Sequence, residues 1–133
     1  MNRRDQREQA FILIFERTIN NDTIAQIVEN AGESRDLVLS AFAEKVATGV
    51  QDNEAVIDEK IAQNIHGWKM SRLSRVSLLR LAIYEMIYEK DIPLSVSINE
   101  VVDLAKKYGG SEDAPFINGV LGSVAKELEP QNA

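Results

Sequence analysis

Residues 73–88 read LSRVSLLRLAIYEMIY, and they decide the fold class. Val76, Leu79, Ile83, Met86 and Ile87 recur at helical spacing, while Leu78, Leu81 and Ala82 carry apolar surface around the rest of the cylinder. A helix that is apolar nearly all round must be wrapped by other elements. The segment therefore predicts a buried central helix, capped by Ser71 and running to about Glu89, with Pro93 closing the connection behind it. Arg72, Arg75 and Arg80 stand among its apolar residues. Arg72 and Arg75 are expected on an exposed edge, and Arg80 is expected to pair with an acid such as Glu85 or Glu100. Tyr84, Tyr88 and Trp68 are large and amphipathic, a type enriched at protein interfaces, with core packing as the competing reading.

The flanking sequence supplies helices to wrap it. Upstream, Phe11, Ile14, Phe15 and Thr18 make one stripe of a helix from about Arg4 to Ile19. Thr23 and Gln26 form a capping box for a short helix ending at Ala31-Gly32. Ser34 then caps a helix reaching Val50, and Asp52 or Asn53 caps one that displays Ile57, Ile61 and Ile65 and stops near His66-Gly67. Downstream, Ser97 and Glu100 read as a second capping box, opening a helix that Gly109-Gly110 ends. The final helix starts around Asp113-Ala114-Pro115 and buries Ile117, Val120, Leu121, Val124 and Leu128. The SVSI run at 95–98 is the longest period-two stretch, too short to argue for a sheet. Seven helices with short connections predict one all-α domain over residues 1–133.

Composition excludes several chemistries. The 133 residues include no Cys and one His, so neither a thiolate metal site nor a His cluster is expected, and no cofactor is implied. Apolar runs fall short of the roughly 18 residues a membrane span needs, and the first residues are charged. We therefore expect a cytoplasmic location with no membrane partner. His66 reads as a helix-end or packing residue. The acid pairs Asp58-Glu59 and Glu85/Glu89 read as solvated helix faces, and Gly109-Gly110 lacks the strand and the Gly-Lys-Ser/Thr sequel of a phosphate loop. Nothing supports an enzyme.

The formal charge of -6 weighs against simple nucleic-acid binding, but it is unevenly spread. Residues 1–20 carry +1, residues 21–70 carry -5, residues 71–110 carry +1 and residues 111–133 carry -3. Arg3, Arg4 and Arg7 share one helix start at i, i+3 and i, i+4 spacing, where guanidiniums can each take a pair of phosphate oxygens. Lys106 and Lys107, followed by Tyr108 and shortly by Phe116, form a second group of cations beside aromatics. Such mixtures suit single-stranded nucleic acid, whose bases stack on rings while cations hold the backbone. A solvated face and helix-end packing are the competing readings. Gly119 and Gly122, inside a helix, imply close helix contact or a tight backbone approach to a ligand, since each costs about 1 kcal/mol against Ala.

Three segments, RRDQREQAFILIF, LSRVSLLRLAIYEM followed by IPLSVSINEVVDLAKKYG, and FINGVLGSVAKEL, together resemble the NusB family of bacterial transcription antitermination factors. The resemblance runs along the whole chain and is strongest over 72–128. It implies an all-α fold of two packed helical subdomains, roughly 1–70 and 71–133, shared with the RNA-binding domain of certain rRNA methyltransferases. It also implies a non-enzymatic adaptor in processive antitermination of ribosomal RNA transcription. Such a factor pairs with the ribosomal protein NusE, binds single-stranded boxA RNA and joins NusA, NusG and RNA polymerase. Carried onto this sequence, the RNA-binding residues are Arg3, Arg4, Arg7, Lys106, Lys107 and Phe116. Arg72, Arg75, Tyr84 and Tyr88 are the expected contributors to the NusE surface. The basic surface of NusE would account for an acidic chain taking part in RNA binding. The alternative is a self-associating helical interaction protein without RNA, in which a homodimer could cover the same face.

Overall fold

The computed structural model describes residues 1–34, 38–65 and 73–132, and within them the chain is helical: α1 (Arg3–Asn20), α2 (Ile24–Ser34), α3 (Ala41–Asp52), α4 (Glu54–Asn64), α5 (Leu73–Tyr88), α6 (Leu94–Tyr108) and α7 (Asp113–Asn132). The expected central helix is α5, which packs against α1, α3, α4, α6 and α7. Its Leu78, Leu79, Leu81, Ala82 and Ile83 are fully buried. Around it lie Phe11 and Ile14 of α1, Val46 and Val50 of α3, Ile57 of α4, Val101 of α6, and Ile117, Leu121 and Val124 of α7. The all-α expectation thus holds across the described residues.

Local chemistry fixes both ends of α1 and the start of α2. The Asn2 side chain accepts from the Asp5 N–H at 2.8 Å to start α1, and Asn21 ends it in the left-handed region at φ 62°, which asparagine tolerates better than most residues. The Thr23–Gln26 box is formed in both directions: Thr23 N–H donates to the Gln26 side chain at 3.0 Å, and Gln26 N–H to the Thr23 hydroxyl at 3.2 Å.

Three expected boundaries move. α2 continues through Gly32 to Ser34, with Ala31 buried beneath its last turn. Ser34 therefore lies inside α2, and the cap of α3 is Ser40, whose hydroxyl accepts from Ala43 N–H at 3.0 Å. α6 begins at Leu94, behind Pro93. Ser97 is consequently one turn inside the helix and fully buried, donating its hydroxyl to Glu85 at 3.2 Å, so it makes no capping box with Glu100. His66, Gly67, Trp68, Ser71 and Arg72 lie outside the described residues.

Candidate nucleic-acid interface

The N-terminal half of α1 and the C-terminal half of α6 run side by side in the same direction. Their facing side chains meet in sequence order. Arg4 donates to Glu100 at 2.9 Å and to Asp103 at 3.0 Å, Lys107 reaches both oxygens of Glu8 at 2.7 and 2.8 Å, and the Phe11 and Tyr108 rings lie 4.8 Å apart. Lys106 approaches Asp103 at 3.6 Å. Between the helices is a shallow depression of about 290 Å³ floored by Arg7 and Leu104. Hydrogen bonding to Glu100 raises the Arg4 pKa, and hydrogen bonding to Glu8 raises that of Lys107. Both remain cations throughout any physiological range.

The expected RNA-binding residues separate into surface and interior. Arg4, Lys106 and Lys107 expose 60 to 66% of their side chains. Arg3 is exposed too, with its guanidinium carbon 3.9 Å from the centre of the Phe42 ring on α3, a cation–π contact. Arg7 is different. It is 2% exposed, and its Nε and Nη2 donate to the two oxygens of the fully buried Glu85 at 2.7 and 2.8 Å. The surface phosphate contact expected of Arg7 is therefore corrected to an interior ion pair, because α1 turns this arginine toward the only carboxylate seated at that depth of α5 beside it.

Phe116 is also interior, 8% exposed, with the Arg75 guanidinium 4.7 Å from its ring centre. Its ring packs rather than lying open to a base. The exposed aromatic beside the lysines is Tyr108, on which Lys107 sits 5.3 Å from the ring centre. Desolvation at the helix junction raises the Tyr108 pKa.

The α5 residues expected to face a protein partner also divide. Arg75 is buried against Asp113, and Asp113 in turn accepts from Gly110 N–H at 2.8 Å, which fixes the corner between α6 and α7. Tyr84 is 7% exposed and Tyr88 39%, their rings 5.1 Å apart. The exposed edge expected for Arg75 and the surface expected for Tyr84 are thus corrected to interior positions, since α5 is enclosed on those sides. Arg80 pairs with neither Glu85 nor Glu100, which Arg7 and Arg4 occupy. It donates to Asp58 of α4 at 2.9 and 2.8 Å.

Sequence reasoning paired none of the acids of this face with the cations they hold here, and it placed no ring beneath Arg3. Glu8 follows Arg4 by one turn, and Glu100, Asp103 and Lys107 share one stripe of α6 at i, i+3, i+7. That spacing was the available signal for the acids; nothing local ties Phe42 to Arg3. Gly119 and Gly122 do not mark a close helix contact, because a Cβ on either would meet nothing within 4 Å. Among the described residues no group of His, Asp and Glu is arranged to hold a metal ion, and no helix is long and apolar enough to cross a membrane.

Comparison with known proteins agrees with this architecture. The chain is 43% identical to the transcription antitermination protein NusB of Clostridium botulinum (strain Kyoto / Type A2), over 93% of this chain and 99% of that protein. The solved structure of T. maritima NusB superposes with a TM-score of 0.81 at 31% identity, covering 96% of this chain and 92% of that one. A structure of the antitermination factors NusB and NusE in complex with dsRNA matches at TM-score 0.79 and 23% identity over 96% of this chain and 99% of that one, which speaks to fold. Residues 4–126 match the NusB family itself. Helical core, enclosed α5 and matched span agree: the chain belongs to the NusB family, whose members are transcription antitermination factors and not enzymes.

Proposed function

We propose that this chain acts in antitermination by binding single-stranded boxA RNA jointly with NusE, within an assembly that includes NusA, NusG and RNA polymerase during ribosomal RNA transcription. The observation that carries the reading is the row of exposed cations and one exposed ring, Arg4, Lys106, Lys107 and Tyr108, along the α1–α6 edge, with Arg3 exposed on the α3 side of the same helix start. Cations there hold phosphates, and Tyr108 offers a base a stacking surface. Arg7 and Phe116 act from beneath, Arg7 by fixing α1 on α5 and Phe116 by seating α7. Support for the partnership comes from the structural neighbour that holds NusB, NusE and dsRNA together. We assign NusE to the α5 end at Tyr88, with Tyr84 packed below it.

The test is binding of a boxA RNA oligonucleotide with and without purified NusE, across a salt series. Arg4→Gln and Lys107→Gln are each expected to flatten the slope of log K against log salt by about 0.7, the value for one lost single-strand phosphate contact. Tyr108→Ala is expected to lose about 1–3 kcal/mol of RNA affinity. Failure of the wild-type chain, NusE and boxA RNA to form any ternary complex would overturn the reading.

A further inference from the structure

The α1–α6 face carries more carboxylates than exposed cations: Asp5, Glu8, Glu100 and Asp103 against Arg4, Lys106 and Lys107. We infer that Glu8 and Asp103 are resident competitors of RNA phosphate, holding the cations of this face neutralised so that only an RNA able to displace them along the whole edge binds well. The inference rests on the RNA-binding reading of the same face.

The geometry supports competition over a role in folding. Glu8 gives both oxygens to Lys107, and Asp103 stands between Arg4 and Lys106, at 3.0 and 3.6 Å. These pairs lie at the surface, Asp103 with 47% of its side chain exposed, and surface pairs of this kind add little to stability. They are therefore readily exchanged. A phosphate can take the place of either carboxylate, but the displaced group stays tethered a few ångströms away, where two like charges still repel across water. An RNA that meets one cation gains a contact and keeps the repulsion. An RNA that follows the edge, stacks on Tyr108 and draws further cations from NusE gains several contacts against the same opposition. The acids thus act as specificity-determining residues, depressing affinity for arbitrary polyanions more than for the proper RNA.

The experiment compares wild type, Glu8→Gln, Asp103→Asn and the double variant. Each is titrated with a boxA RNA oligonucleotide and with oligouridine of equal length, with and without NusE, over a salt series. Each single variant is expected to bind RNA about threefold more tightly on its own, and the double variant about tenfold. The salt slope should steepen by about 0.7 for each cation released, and the preference for boxA over oligouridine should narrow. Glu29→Gln, on α2, changes net charge equally and serves as the control. Unchanged or weaker RNA binding by variants that melt like wild type would overturn the inference, as would an equal gain in Glu29→Gln. If wild type binds no RNA with or without NusE, the RNA reading itself fails; if wild type binds and the variants do not differ from it, only the competitor role fails.

Discussion

Arg7 and Glu85 meet inside the protein at 2.7 and 2.8 Å, with the Ser97 hydroxyl also donating to the carboxylate at 3.2 Å. A buried pair that loses one member strands the other charge, which costs about 3–5 kcal/mol. Glu85→Ala should therefore lower stability by that amount in denaturant unfolding, whereas Arg4→Gln, at the exposed start of α1, should leave it nearly unchanged. Arg7→Lys is not expected to rescue, because an ammonium cannot reproduce the two-pronged bond. Tyr84 supplies a second test at this level. Its phenol is raised above the ordinary tyrosine value, first by desolvation and then by Glu89, so the fold favours the neutral form. That contribution is complete below the ordinary tyrosine pKa of about 10 and disappears as pH rises through the elevated one. Alkaline denaturation should accordingly be shallower in Tyr84→Phe than in wild type. The sequence could not separate Arg7 from Arg3 and Arg4. All three share a helix start, and the carboxylate that draws one of them inward lies 78 positions away.

The helices themselves were far more legible than such pairings. α5 and α7 declared their buried faces through periodicity alone, and Ile117, Val120, Leu121, Val124 and Leu128 are all interior. Where expectation and structure differ, the helix boundary lies away from the serine expected to mark it. Ser34 and Ser97 have the right neighbours in sequence, but α2 runs on over a buried Ala31, and Ser97 is drawn inward by Glu85. Local capping chemistry competes with tertiary burial, and here burial wins. Glycines within helices allow a contrast between elements. On α7, Gly119→Ala and Gly122→Ala add a methyl to open space and should each stabilise by about 0.5–1 kcal/mol. On α3, a Cβ at Gly49 would run into the Tyr84 ring. That ring is pinned against Tyr88, so Gly49→Ala should destabilise by about 1–3 kcal/mol. Thermal melts of the three variants give the signs directly.

For the molecule as a whole, the charge of -6 and the neutralised α1–α6 face bear on the proposed function in the same way: under that reading, strong RNA binding would belong to the complex with NusE more than to the chain alone. The affinity of the complex for boxA RNA should fall steeply with salt, while the chain by itself should show weak binding and a shallow slope, both measurable by anisotropy. The Arg7–Glu85 pair bears on this in a further way. Advancing α1 by one residue turns it about 100°, so only one rotational setting of that helix puts an arginine opposite Glu85. The pair works like a locating pin. It sets the phase of α1, and with it the directions in which Arg3 and Arg4 leave the surface, before any ligand arrives. Little backbone freedom then remains to be lost on association, and the edge meets its ligand already aimed.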